Sequence, residues 1–286
     1  MLIWGSSFIA MKLALQAYDP LLIVFGRMII ASCIFLFFYK KLRQTLYHKG
    51  DWKYLVLMSL FEPCFYFIFE AYALTYTTAS QAGMVTALLP LLVAISAGVL
   101  LKEKITPTVL FGFFTACAGI GILSFDNSST IDAPNPILGN FLELLAMICA
   151  AGYTILARHL GARYSALFLT AFQMLIGAFF FAPVLIFPST IYPTAFPIVP
   201  SFALAYLGTI VSFGAYGLYN HALRTISASH ASAYVNLIPV FTAFLGWLIL
   251  DEHFTMLQSL GAILVLAGVW ISTSAFRIGK LRADSA

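Results

Sequence analysis

The sequence predicts an all-α integral membrane protein of ten transmembrane helices, arranged as two inverted-topology five-helix repeats. Three observations carry this. First, 62% of the 286 residues are hydrophobic and only 9% are charged, whereas soluble domains carry about 25% charged residues. So few polar side chains cannot cover a globule in water. Second, apolar runs recur along the whole chain, each long enough to cross a hydrocarbon core of about 30 Å as a helix. They are continuous and lack period-two alternation, which fits helices and not barrel strands. Third, "ASQAGMVTALLPLLVAISAGVLLKE" (79–103) returns as "ASHASAYVNLIPVFTAFLGWLILDE" (228–252), 149 residues on and without a gap. Ser80/Ser229, Pro90/Pro239, Glu103/Glu252, Thr106/Thr255, Gly112/Gly261 and Gly119/Gly268 keep the register. That period is far longer than a solenoid unit, so it marks two homologous halves of one fold.

The expected spans of the first half are 1–17, 21–39, 52–74, 80–101 and 106–125. Those of the second are 137–157, 165–187, 201–223, 230–250 and 255–275. The corresponding domains are 1–126 and 137–276. Met1 already sits inside an apolar run, so the start of the first helix is not fixed by the sequence. "MLIWGSSF" has no basic segment ahead of it and reads as part of an inserting span, not as a cleavable signal. Cys33, Cys64, Cys117 and Cys149 all fall inside apolar spans without metal-ligand spacing, and are expected to be buried small hydrophobes.

Charge orients the spans. With the N-terminus in the cytoplasm, the basic residues of the Lys40–Lys53 loop, Lys102 and Lys104, Arg158 and Arg163, Arg224 and the Arg277–Arg282 tail all fall on the cytoplasmic side. The outer loops carry none; Asn127 and Ser189 belong to them. This is a strong positive-inside signal, so the net charge of +4 reports topology and not a nucleic-acid footprint. Five spans per half is an odd number, so the second half enters from the opposite side. Such inverted repeats are a hallmark of secondary transporters, because exchanging the conformations of the halves exchanges the side that is open.

The stretches "WGSSFIAMK", "FGRMIIA", "AYALTYTTASQAGMVTALLPLLVAISAGVLLKEKIT" and "YNHALRTISASHASAYVNLIPVFTAFLGWLILDEHFT" together resemble the EamA family of the drug/metabolite transporter superfamily. The likeness covers the whole chain. It implies a central cavity lined mainly by the third, fourth, eighth and ninth helices. It also implies secondary transport of small metabolites, commonly export of amino acids or related compounds, across a bacterial inner membrane with both termini cytoplasmic.

A carboxylate at membrane depth is costly and normally faces a bundle interior or a wet cavity with a partner. Glu62 and Glu70, in "FEPCFYFIFEAY", are such groups, with Glu62 nearer mid-membrane and beside Pro63. Their spacing of eight is two turns plus about 80°, so both can border one cavity. Arg27 can clamp a substrate carboxylate in two places or neutralise Glu62 or Glu143. Glu143, near the outer end of its span, is expected to be interfacial or paired, and Lys12 to reach the interface. Tyr66, Gln81, Tyr216, Asn220, Tyr234 and Asn236 are further candidates for substrate contact. Phe65, Phe69, Tyr72 and Tyr219 are expected to shape the site, with His221 and His230 as titratable neighbours. Pro90 and Pro239 each remove a helical hydrogen bond, and a symmetric pair of kinks is what gate hinges require.

The expected partners are a small-molecule substrate, protons and the bilayer, in a monomer or homodimer, with no cofactor, metal or nucleic acid. An enzyme would need a nucleophile–base or metal constellation, and none of the usual motifs is present. Within transport, a cation-drug/proton antiporter is the alternative; there a membrane glutamate binds cation or proton in competition, and Glu62 can serve.

Overall fold

The computed structural model of the chain describes residues 1–101, 107–125, 133–188 and 190–283. Lys102, Glu103, Lys104 and Thr106 of the repeat, and Asn127 and Ser189 of the expected outer loops, lie outside the described residues. Among those described, the regular structure is all helix, with no β-strand. The first five apolar helices are α1 (Leu2–Leu15), α2 (Pro20–Leu36), α3 (Trp52–Tyr76), α4 (the consecutive segments Ala79–Val85, Thr86–Leu88 and Leu89–Leu101) and α5 (Pro107–Phe125). Then come α6 (Pro136–Gly161), α7 (Ala166–Ile186), α8 (Ile198–Thr225), α9 (Ala228–Leu250) and α10 (Met256–Ala283).

The starts have local causes. Asp19 accepts from the backbone N–H of Leu21 at 2.9 Å, and Pro20 occupies the first turn of α2, where its missing N–H costs nothing. Asn135 and Pro136 repeat this device at α6. Ser165 caps α7 and Ser227 caps α9. At α10, Thr255 and Gln258 bond each other's backbone N–H, both at 3.1 Å, a reciprocal capping box.

Among the described residues six helices, α3, α4, α6, α7, α8 and α9, are long and apolar enough to cross a membrane by length and composition. The expected first span, 1–17, is a helix of only 14 residues. At about 1.5 Å per residue it reaches about 21 Å, because the chain turns into Asp19 and Pro20. α2, Leu110–Ser124 of α5 and Met256–Ser272 of α10 are likewise shorter apolar helices. Cys64 and Cys149 are buried as expected, but Cys33 is exposed on the outward face of α2.

Irregular turns recur at the repeat distance. α3 widens to i→i+5 turns over Leu60–Phe65 and α8 over Leu207–Ala215; 149 residues separate Leu60 from Thr209. α4 tightens to a 3-10 turn at Thr86–Leu88 ahead of Pro90, and α9 at Tyr234–Asn236 ahead of Pro239. A proline has no N–H for the carbonyl four residues back, so the preceding turn closes differently.

α5 and α10 pack against each other through glycines. A Cβ on Gly112 would lie 2.5 Å from the carbonyl oxygen of Gly268, and one on Gly119 would lie 2.7 Å from that of Gly261. Moving seven residues forward on α5 thus moves seven back on α10, so the two run antiparallel. Gly112→Val should wedge this contact apart. An overpacking cost of about 1–3 kcal/mol is expected, read as a lowered Tm of the purified protein in detergent; an unchanged Tm would mean the two helices part without cost.

Contacts tie both ends of the bundle. At the end bearing Lys40–Lys53, Arg163 donates to both carboxylate oxygens of Asp51 at 2.7 and 2.9 Å, and Arg158 to the carbonyl of Leu223 at 2.6 Å. At the opposite end Glu252 accepts from the N–H groups of Ala79 and Ser80, each at 2.8 Å, satisfying the start of α4. Between the ends lies one large apolar cluster that includes Met11, Ile23, Met28, Phe67, Tyr153 and Leu207.

Candidate functional site

Ionisable side chains converge inside that cluster, on a small cavity of about 40 Å³. α1, α2, α3, α6 and α8 form its walls, and Thr86 and Leu89 of α4 with Val235 and Ile238 of α9 close it. The lining follows the sequence repeat: Trp4/Tyr153, Glu62/Val211 and Phe67/Tyr216 are each 149 residues apart and all border the cavity. So do Glu70/Tyr219, Thr86/Val235 and Leu89/Ile238. Both carboxylates come from the first member of a pair; the second member is apolar or aromatic.

Glu62 stands where α3 is interrupted. Its backbone is extended (φ −150°, ψ 116°) within the widened turn, and the Glu62–Pro63 peptide bond is cis. Tyr216 of α8 donates its hydroxyl to the Glu62 carboxylate. Two turns along α3, Tyr66 donates to Glu70 at 2.8 Å. Arg27, 2% exposed, makes three contacts: Nε donates to Ser212 Oγ at 3.0 Å, Nη1 lies 3.8 Å from Glu70 Oε2, and the guanidinium stacks 4.1 Å above the Phe67 ring. Arg27 therefore pairs with Glu70 and not with Glu62 or Glu143. At 3.8 Å the ion pair is longer than a direct hydrogen-bonded contact.

Beside Glu62 rises an aromatic wall. Trp4 lies 5.4 Å from Tyr216 and 4.8 Å from Tyr219, and Tyr153 lies 6.4 Å from Tyr219. The Trp4 indole N–H is buried with no hydrogen-bond partner, a donor ready for a ligand acceptor. The cavity thus brings together a cation, the Glu62 acid, and aromatic faces that attract both apolar and cationic groups.

Glu62, Arg27, Tyr66, Glu70 and Tyr216 are thus brought together, with Tyr219. Gln81 is not among them; it accepts from Thr77 at 3.2 Å and from Asn140 at 3.0 Å toward the Glu252 end. Asn220 lies behind the wall, accepting from Tyr153 at 2.9 Å and donating to Thr170 at 2.9 Å. Asn236 is beside the cavity without lining it, its Oδ1 unpartnered. Tyr234 is 61% exposed and faces away, as do Phe65 and Tyr72, both exposed. His221 and His230 are exposed too. Glu143 is neither interfacial nor paired: it is 0% exposed and both its carboxylate oxygens lack a hydrogen-bond partner. Sequence reasoning passed over Trp4, Phe67, Tyr153, Thr154 and Ser212. The repeat offset reaches several of them, since Trp4 maps to Tyr153 and Phe67 to Tyr216. A stripe Asn140–Glu143–Met147–Ala150–Thr154 on α6, at spacings of three and four, reaches Thr154. Among the described residues no group of His, Cys, Asp or Glu is arranged to hold a metal ion.

Apolar helices packed around a buried charged cavity are the architecture of a membrane transporter. The chain belongs to the EamA-like transporter family, whose model matches residues 1–125 and 137–274. It is 28% identical over 275 residues to an uncharacterized transporter of Archaeoglobus fulgidus, covering 96% of this chain and 94% of that one. It is also 28% identical over 263 residues to the S-adenosylmethionine/S-adenosylhomocysteine transporter of Chlamydia trachomatis serovar L2, covering 88% of this chain and 80% of the relative. A solved crystal structure shares the fold with a TM-score of 0.67 at 20% identity, over 96% of this chain and 94% of that one.

Proposed function

We propose that this transporter moves small zwitterionic metabolites, amino acids or related compounds, out of the cell by alternating access. In this reading the ten helices form two inverted five-helix halves, 1–126 and 137–276, about a pseudo-two-fold axis in the plane of a bacterial inner membrane. The carrying observation is the cavity lining: six pairs of residues at the repeat distance surround one space, as expected if the axis passes through it. The antiparallel α5–α10 contact, with its interchanging glycine pairs, supports the same axis. Arg27 takes the substrate carboxylate, while Glu62 and the ring faces of Trp4 and Tyr216 take its ammonium group. The substrate of the chlamydial relative, an amino-acid derivative by its name, is consistent with this chemistry. Glu62 also carries the coupling proton, and Pro90 and Pro239 act as gate hinges at the tightened turns of α4 and α9. The chain works as a monomer or homodimer.

A cation-drug/proton antiporter is the second reading, favoured by the aromatic wall beside Glu62. The position of Arg27 in the lining weighs against it, since a permanent cation repels the substrate.

The deciding experiment is a thermal-shift screen of amino acids, their derivatives and tetraphenylphosphonium on the purified protein, followed by proteoliposome flux with and without a pH gradient. Zwitterions that raise Tm and accumulate against the gradient support the first reading, and tetraphenylphosphonium alone the second. Topology has its own check. Gln44→Cys, beside the basic end, should label only from the cytoplasmic side, and His253→Cys only from outside; the reverse pattern would overturn the orientation.

A further inference from the structure

The cavity does not account for Glu143. This residue lies on α6 outside the cavity lining, fully buried, with no donor to either carboxylate oxygen. The two acids that line the cavity both have partners: Glu62 has Tyr216, and Glu70 has Tyr66 and Arg27. One guanidinium is already shared with Glu70, so a carboxylate at position 143 would be a bare charge in an apolar interior, which proteins avoid by neutralising the group. The titratable groups bearing on it are Glu70 and Tyr66, both from α3. α4 presents none over Ala79–Ser96, and α5 has only the Cys117 thiol.

One helical turn away on α6, Asn140 heads a buried polar chain toward the Glu252 end. It donates to Gln81 at 3.0 Å and to Ser124 at 2.9 Å, and Thr77 donates to it at 3.0 Å. This chain stops short of the cavity; Glu143 stands between the two. We propose that Glu143 is a proton-binding site of this transporter, set between the Asn140 chain and the Glu70 carboxylate with which it exchanges its proton. The transfer is a simple one. The proton leaves a Glu143 oxygen for a Glu70 oxygen, and Glu70 becomes neutral and releases Arg27 to a substrate anion. Glu143 is made neutral again by a replacement proton arriving along the Asn140 chain, so that it is ionised only in passing. The coupling role rests on the transport reading; proton binding itself does not, and the test reads binding alone.

Infrared spectra of the full chain reconstituted in lipid decide it. A protonated carboxyl without a hydrogen bond absorbs at the high-frequency end of the carboxylic C=O range. Such a band is expected at neutral pH in the wild type. It should remain in Glu62→Gln and vanish in Glu143→Gln, which is expected to fold because the amide replaces a neutral acid. Asn140→Leu should slow its hydrogen–deuterium exchange several-fold. A wild type without the band, or a band surviving in Glu143→Gln, overturns the site; unchanged exchange in Asn140→Leu overturns the route. Should Glu143→Gln not fold, the wild type and Glu62→Gln decide, since a band present in both has its origin outside Glu62 and a band lost in Glu62→Gln refutes Glu143. Absence of any flux would refute transport without touching these spectra.

Discussion

Glu62→Gln is expected to abolish accumulation driven by a pH gradient while exchange between pre-loaded substrate pools continues. The amide keeps the shape of the side chain and a carbonyl for the Tyr216 hydroxyl, so the loss in stability should stay near the worth of one hydrogen bond, about 1 kcal/mol. What the amide cannot do is bind and release a proton. Flux assays in proteoliposomes, paired with Tm, separate the outcomes. A stable variant that exchanges without accumulating supports proton carriage by Glu62. A variant with a strongly lowered Tm means the acid acts as a structural partner. Full gradient-driven transport by a stable variant would remove Glu62 from both roles.

Arg27→Met should give the largest loss of stability of any single change in the cavity. The guanidinium bonds Ser212, pairs with Glu70 and lies over Phe67. Methionine replaces only the packing. Removing one partner of a buried ion pair leaves an uncompensated charge, at about 3–5 kcal/mol, so chemical denaturation should reveal a large deficit. Adding Glu70→Gln removes the stranded charge and should restore much of the loss. If Arg27 also receives substrate, the rescued double variant will fold without any thermal shift from the zwitterions that stabilise the wild type. Retention of that shift would assign Arg27 to structure alone.

The helical class and the approximate helix positions were legible because each rests on local composition. Twenty apolar residues in a row need no tertiary information to be read as a helix that avoids water. The exceptions are instructive. The span expected at 1–17 became a 14-residue helix because Asp19 and Pro20 open the next one, a boundary effect that hydropathy windows blur.

At the cavity the division is sharper. Charge in an apolar span singled out Glu62, Glu70 and Arg27, since membrane burial of a charge demands a reason, and the structure places all three around one cavity. Residue type alone was a weaker guide: Tyr234 suits a site, but its face of α9 is exposed. The charge criterion fell short for Glu143, where depth was inferred from distance to the span end, although α6 extends over Pro136–Gly161 and packs its carboxylate inward.

What the sequence determined by itself was therefore the solvent of each segment, the repeat, its 149-residue offset and the cost of placing acids within it; these follow from transfer free energies and from register along one chain. Only the tertiary structure decided which cation meets which acid. Arg27 chose Glu70 over Glu62 and Glu143 through the crossing of α2 with α3 and α8, and a few ångströms of helix position, invisible in any linear pattern, control the strength of an interaction in a low-dielectric interior.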